Sequence, residues 1–209
     1  MTLIARRGVC LVLSAPSGAG KTAIAEALLA QEPDMRRSVS VTTRQPRPGE
    51  IDGVHYHFIG EIAFEAAQRT GALLEWARVL RGTHAYGTPR APVEQALEAG
   101  RDVVFDIDWQ GHRALRAKLP GDVVSVFVLP PDLGALQRRL VGRAADDQTE
   151  IARRMRLARD EISHWAEFDH VVINDDLLVA TQAVRAVLHA GRLATTRQAG
   201  LSGFIEALG

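Results

Sequence analysis

Short apolar runs alternate along this chain with longer segments in which apolar residues recur every three or four positions. Four of the runs are almost wholly apolar, the pattern of strands buried on both faces of a parallel sheet, and they cover residues 9–14, 102–107, 123–129 and 170–173. Helical periodicity follows each run. Strands and helices that alternate in this way predict an α/β fold, with a parallel sheet flanked by helices.

The helical segments carry apolar stripes and give the remaining element predictions. We predict helices at residues 21–30, 62–69, 92–99, 110–118, 133–143, 150–168 and 177–192, and the tail from residue 193 predicts nothing. Residues 37–90 interrupt the alternation, with short extended runs at 37–42, 54–59 and 73–80 and with more turn, Arg, Tyr and His residues. We therefore predict a lobe at 37–90 that is grafted onto the parallel-sheet core.

The composition fits one globular domain and excludes several classes of protein. The chain has 209 residues, and 25 basic residues balance 25 acidic ones, which argues against a protein that coats nucleic acid or an anionic membrane. With Cys10 as the single cysteine, neither an internal disulfide nor a multi-cysteine metal site can form. No apolar stretch approaches the roughly 18 residues of a membrane span, and residues 1–8 do not read as a signal peptide. We expect a cytoplasmic protein that binds neither nucleic acid nor membrane.

A glycine-rich segment, residues 15–22, follows the first predicted strand and opens the first predicted helix. This is the context of a phosphate-binding loop, whose backbone N–H groups and helix N-terminus form a cradle for anions. Lys21 would reach the β- and γ-phosphates and the Thr22 hydroxyl would reach Mg²⁺. Because Ala15 stands where the motif has its first glycine, an ordinary Gly-rich turn is the alternative. The loop consists of Ala15, Pro16, Ser17, Gly18, Ala19, Gly20, Lys21 and Thr22.

The lobe contains a second candidate phosphate site. Arg44 and Arg47 lie in a loop stiffened by prolines, and the Tyr56 hydroxyl is a third nearby donor. Two guanidinium groups placed in this way can hold one phosphate from two sides. The alternative is a solvated basic loop.

Glu75 is a carboxylate between apolar neighbours, Leu74 and Trp76. A buried carboxylate needs partners, and guanine offers adjacent N1–H and N2–H donors that one carboxylate can accept, whereas adenine offers no such pair. A surface position is the alternative. Tyr86 and Thr88 add two hydroxyl groups, which we place at a turn.

Two further places carry charged residues with a candidate role. Asp106 and Asp108 end the second buried strand, and residues two apart point to the same side of a strand, at the edge where ligands bind in parallel sheets. Asp108 would alternatively cap the next helix. Arginines flank the polar stretch 144–149, as in a lid that closes over a transferred phosphoryl group, although such a run is otherwise a solvated helix face. These arginines are Arg138, Arg139, Arg143, Arg153 and Arg154.

In this order the motifs resemble the guanylate kinase family from about residue 8 to about residue 192. The resemblance implies a P-loop NTPase-type core with a GMP-binding lobe and a helical lid. It implies that ATP and GMP react to give ADP and GDP, with Mg²⁺ brought mainly by ATP. The implied catalytic cations are Lys21, Arg44, Arg139, Arg143 and Arg154. The implied GMP phosphate ligands are Arg44, Arg47, Tyr56 and Tyr86, and the implied guanine-reading residues are Ser40, Glu75, Thr88 and Asp108.

The resemblance implies further assignments. Asn174 lies near the adenine site, and Thr22 and Asp106 are the candidate contacts of Mg²⁺. The chain would form one domain, with a core at residues 1–36, 91–132 and 156–209, the lobe at 37–90 and the lid at 133–155. The chain departs from the family pattern at Ala85, at Ala144 and in a two-residue extension before Tyr86.

Two other functions use the same scaffold. One is a sugar-phosphate kinase, against which the set Arg44, Arg47, Tyr56 and Glu75 argues. The other is a binding module that no longer catalyses, against which the intact loop 15–22 and the lid arginines argue. The sequence leaves a monomer and a homo-oligomer equally open.

Overall fold

The computed structural model describes residues 4–79, 83–141 and 148–209. Its strands are β1 Cys10–Ser14, β2 Arg36–Arg37, β3 Val41–Thr42, β4 His57–Phe58, β5 Leu73–Val79, β6 His84–Pro89, β7 Val103–Asp106, β8 Val123–Leu129 and β9 His170–Ile173. Its helices are α1 Lys21–Gln31, α2 Glu61–Arg69, α3 Arg90–Glu98, α4 Trp109–Lys118, α5 Leu133–Val141, α6 Gln148–Ser163, α7 Leu177–Leu193 and α8 Leu201–Glu206. Short 3₁₀ turns occupy Trp165–Glu167 and Thr195–Arg197.

The core sheet has five parallel strands in the order β2-β7-β1-β8-β9. The central strand β1 is buried along its whole length, because helices cover both faces of the sheet. Leu11 and Leu13 pack against α1 and α7 on one face, whereas Val12 and Phe105 pack with residues of α3 and α4 on the other. The predicted α/β fold with a parallel sheet flanked by helices is therefore confirmed.

A second, smaller sheet forms the lobe, with the strand order β4-β3-β6-β5. It has its own small core, in which Val41, Leu73 and Ala85 pack against Phe64 of α2. The strand order places β5 and β6 side by side and antiparallel, with Glu75 opposite Thr88. The lobe sheet therefore brings together two of the residues that the resemblance implied for reading guanine.

Several element boundaries differ from the sequence prediction. Arg37, which we assigned to the lobe, pairs with Val104 in the core sheet. The predicted strand at 54–59 is only His57–Phe58, since a turn with Gly53 at a positive φ of 75° precedes it. Tyr86 and Thr88 lie in β6 and not at a turn, because backbone pairing with β5 extends this Gly- and Pro-containing segment.

The carboxyl-terminal part is more ordered than the sequence indicated. The predicted long helix at 150–168 ends at Ser163 and continues as the turn Trp165–Glu167. The tail packs back onto the amino-terminal segment, where the N–H of Gly200 donates to the carbonyl of Ala5. None of the described helices is long and apolar enough to cross a membrane.

Candidate active site

The glycine-rich loop connects the buried end of β1 to the first turn of α1. Gly18 and Gly20 have positive φ angles of 90° and 98°, which other residues adopt only with strain. A Cβ at Gly20 would in addition overlap the side-chain amide nitrogen of Asn174. The loop therefore has the backbone geometry of an anion cradle, and its two glycines are required for it.

Asn174, which follows β9, and Arg139 of α5 both contact this loop. The buried Asn174 follows β9, and its Nδ2 donates to the carbonyl of Ala19 at 2.7 Å. Arg139 of α5 donates to the carbonyl of Asn174 at 3.1 Å and to that of Ala19 at 3.4 Å. The predicted adenine-side residue and one predicted lid arginine thus meet the phosphate loop directly.

Lys21, Thr22 and Asp106 form a polar cluster at the carboxyl ends of β1 and β7. The Nζ atom of Lys21 lies 2.7 Å from Asp106 Oδ1, and the Thr22 hydroxyl donates to Asp106 Oδ2 at 3.0 Å. Adjacent parallel strands explain this contact, because Leu13 and Asp106 are paired in register. A hydroxyl beside a carboxylate is a donor set that suits the hard, oxygen-preferring Mg²⁺.

Glu161 of α6 is a member of this site that the sequence analysis missed. Its Oε2 accepts a hydrogen bond from the backbone N–H of Ser17 at 3.1 Å. Together with the loop and Asp106, Glu161 lines a cavity of about 290 Å³. Burial raises the pKa of this carboxyl. In sequence it is one of three acidic residues on a polar helix, so only the packing of α6 reveals it.

Arg44, Tyr56 and Tyr86 converge in the lobe. The Arg44 guanidinium donates to the Tyr86 hydroxyl at 3.2 Å and lies 5.4 Å from the centre of the Tyr56 ring, and the two tyrosine rings meet edge to face. Arg44 also donates to both carboxylate oxygens of Glu50, at 2.8 and 2.9 Å. These bonds, together with one from the Arg47 backbone N–H, lower the pKa of Glu50 to about 2.

Arg47 and Ser40, two further residues of the predicted GMP site, lie near Arg44 and Tyr56. Arg47 has an exposed side chain, and its backbone N–H is what contacts Glu50, at 2.7 Å. Ser40 lines a cavity of about 150 Å³ together with Tyr56 and Asp106, so it lies between the lobe and the core. The cavity therefore lies between Tyr56 of the lobe and Asp106 at the end of β7.

Glu75 and Thr88 form a buried pair in the lobe. Glu75 is 8% exposed and Thr88 is fully buried, and the Thr88 hydroxyl donates to Glu75 Oε1 at 2.5 Å. Burial raises the pKa of Glu75 in spite of this hydrogen bond, and the charge of Asp108 adds to the rise. The surface alternative for Glu75 is therefore wrong.

Asp108 has the helix-capping role that the sequence analysis gave as its alternative, and its role toward a ligand stays a prediction. It is the N-cap of α4, where its Oδ1 accepts from the N–H of Gly111 at 2.8 Å. Its charge also raises the pKa values of Glu75 and of Glu161. Asp108 thus lies between the lobe site and the phosphate loop while it caps the helix.

The remaining lid arginines are only partly covered by the structure. Arg154 lies half-buried on α6, the helix that also carries Glu161. Arg143 falls outside the described residues. Arg139, the third predicted lid arginine, contacts the phosphate loop through the carbonyl of Ala19.

A glycine-rich loop at the carboxyl edge of a parallel sheet, between a buried strand and a helix, defines a P-loop NTPase-type fold. The family model for guanylate kinase matches residues 7–191. A protein named guanylate kinase from Gluconobacter oxydans is 65% identical, with 96% of each chain covered. One from Rhodospirillum rubrum is 55% identical, covering 98% of this chain and 93% of the relative.

A solved structure agrees with these relatives. The crystal structure of guanylate kinase from Anaplasma phagocytophilum is similar with a TM-score of 0.78 and 33% identity, covering 99% of this chain and 97% of that one. The chain belongs to the guanylate kinase family.

Proposed function

We propose that this protein transfers the γ-phosphoryl group of ATP to GMP, which yields ADP and GDP. Family membership supports the reaction. The observation that carries it to this chain is the buried Glu75–Thr88 pair in the lobe. Ser40 and Tyr56 of the same lobe line one cavity with Asp106, which contacts Lys21. One site then reads the acceptor base while the other binds the donor phosphates.

The lobe is the proposed GMP site. The Glu75 carboxylate accepts from guanine N1–H and N2–H, and Ser40, Thr88 and Asp108 complete its surroundings. The GMP phosphate takes the place that the Glu50 carboxylate has beside Arg44, because a phosphate oxygen suits the same guanidinium fork. Arg47, Tyr56 and Tyr86 supply the other donors.

The loop at residues 15–22 is the proposed site of the ATP phosphates, with Asn174 toward the adenine. The GMP phosphate oxygen is already anionic, so no side chain has to act as a covalent nucleophile. Catalysis then consists of positioning the two substrates in line and stabilising the transferred charge. The cations assigned to this role are Lys21, Arg44, Arg139, Arg143 and Arg154.

Thr22 and Asp106 are the proposed contacts of Mg²⁺, since their oxygens lie 3.0 Å apart beside the loop. When bound with ATP, Mg²⁺ neutralises charge on the phosphates. Lys21 lies next to the same carboxylate and moves to the phosphate oxygens when ATP binds.

The domain organisation gives each part a task. In this proposal the core at 1–36, 91–132 and 156–209 binds ATP, the lobe at 37–90 binds GMP, and the lid at 133–155 closes over both. Closure would expel water that otherwise hydrolyses ATP. A cytoplasmic location and the lack of nucleic-acid or membrane partners stay predictions.

The test is ADP release from Mg-ATP in parallel reactions with GMP, AMP, CMP, UMP or no acceptor. We expect ADP release only in the reaction that contains GMP as acceptor. Lys21→Ala serves as the inactive control. Turnover with another acceptor and not with GMP would overturn the assignment of the lobe. Binding of Mg-ATP without turnover of any acceptor would favour the sugar-phosphate kinase or the binding module.

A further inference from the structure

The carboxylate of Glu161 lies in the wall of the cavity formed by the phosphate loop. Its Oε2 lies 3.1 Å from the backbone nitrogen of Ser17 and accepts a hydrogen bond from that N–H. Ser17 is part of the loop whose backbone N–H groups face anions, as the positive φ angles of Gly18 and Gly20 indicate. A side chain of the protein therefore accepts a hydrogen bond from a backbone N–H of the loop.

The surroundings of Glu161 have opposing effects on its ionised form. The charge of Lys21 and the hydrogen bond from Ser17 stabilise the ionised carboxylate, whereas burial and the nearby Asp108 and Asp160 destabilise it. Oxygens of an ATP phosphate would use the same loop N–H groups and the same lysine. Carboxylate and phosphate are two anions, and they would repel each other at this distance.

We propose that Glu161 is a positioning residue of the ATP site that occupies the Ser17 N–H before ATP binds and is displaced by the incoming phosphate. This inference rests on the proposed function, because it takes the loop as the ATP phosphate site. The displaced carboxylate belongs to α6, which carries Arg154 about two helical turns earlier and hence on the same face. Phosphate binding at the loop thereby acts on the helix that brings this arginine.

The proposal predicts the sign of an affinity change. If Glu161 competes with phosphate, removing its charge makes nucleotide binding tighter, whereas loss of a merely structural contact makes it weaker. We expect Glu161→Gln to lower the dissociation constant of Mg-ADP about five-fold, which corresponds to about 1 kcal/mol. Glu161→Ala removes the hydrogen-bond acceptor as well, so it lowers the constant further.

The experiment is isothermal titration of Mg-ADP into the full-length wild type and the variants, with GMP-dependent ADP release measured in parallel. Asp160→Asn is the matched control, because it removes the same charge from the adjacent, exposed position on α6. Asp160 is not among the residues that line the cavity. The thermal midpoint of each variant establishes that it is folded.

Each outcome decides between defined alternatives. Tighter binding by both Glu161 variants and not by the Asp160 variant supports the proposal. Unchanged or weaker binding by folded Glu161 variants overturns it, and so does equal tightening by Asp160→Asn, which would indicate a long-range charge effect. A wild type that neither binds Mg-ADP nor turns over GMP would instead refute the proposed function.

Discussion

The substitution Glu75→Gln tests guanine recognition with a change of one atom type. Glutamine keeps the length of the side chain and one oxygen acceptor, but it replaces the second oxygen with an NH₂ donor. Thr88 already donates to one oxygen of Glu75, at 2.5 Å. The single amide oxygen therefore cannot accept from both guanine donors and from Thr88 at once. The NH₂ group would face one of these donors without an acceptor between them.

The structure gives the direction and size of the effect. A hydrogen bond to a charged group contributes about 1.5–3 kcal/mol, and the unmatched donor adds to this loss in a site that is buried. We expect kcat/KM for GMP to fall about 10²-fold, corresponding to about 3 kcal/mol. IMP lacks the 2-amino group and loses one interaction fewer, so its kcat/KM falls less.

Stability should respond in the opposite sense to activity. Burial raises the pKa of Glu75 because the charged form is costly to desolvate. A neutral glutamine avoids that cost, so we expect the thermal midpoint of Glu75→Gln to equal or exceed that of the wild type. Lost activity in a protein that is no less stable then reports on recognition and not on folding.

The assay is initial-rate ADP release at varied GMP and at varied IMP with saturating Mg-ATP. Glu65→Gln is the matched control, since it makes the same chemical change at an exposed position of α2 in the same lobe. Kinetics with GMP that stay within two-fold of the wild type would refute the role of Glu75. An equal loss for GMP and IMP would show that the carboxylate does not contact the 2-amino group.

Three other substitutions give separable outcomes. Lys21→Ala should reduce GMP-dependent ADP release by at least about 10²-fold, and near-normal turnover would contradict the phosphate-loop assignment. His112 is buried and its pKa falls to about 4 from 6.5 through burial, so the unfolded chain binds the proton first. The wild type should therefore lose about 2 kcal/mol of unfolding free energy between pH 8 and pH 5, a loss that His112→Leu abolishes in urea titrations. Asp102 pairs with Arg6 and Arg192, and Asp102→Ala should cost about 3 kcal/mol in the same titration with an unchanged KM for GMP.

The core was predictable from the sequence because burial on both faces imposes a continuous apolar run. Each of the strands β1, β7, β8 and β9 lies within one of the four predicted runs. The lobe was less predictable, since β2, β3 and β4 have two residues each and hold their place by pairing alone. Tyr86 and Thr88 show this best, because pairing with β5 overrides a segment rich in turn-forming residues.

A part of the site was predictable from the sequence where a single short motif forms it. The loop 15–22 is such a motif, since a Gly-rich link between strand and helix builds the cradle without distant residues. The contact between Asn174 and Ala19 depends instead on the order of β1, β8 and β9 in the sheet. The partner of Arg44 depends on how the loop around Glu50 folds back. The charges of these residues and their spacing along the chain predict neither the Asn174–Ala19 contact nor the Arg44–Glu50 contact.

The two proposed phosphate sites share an electrostatic arrangement that only the folded chain reveals. Each contacts a carboxylate of the protein itself: Glu50 binds Arg44 in the lobe, and Glu161 binds the Ser17 N–H at the loop. Cations and oriented amides gathered in a partly buried site need counter-charges to stay in place. In our proposal a substrate phosphate replaces a carboxylate at each site, so the change in local charge is smaller than the charge of the ligand. The carboxylates that would be exchanged belong to the loop around Glu50 and to α6, so we expect phosphate binding at either site to act on one of these two segments.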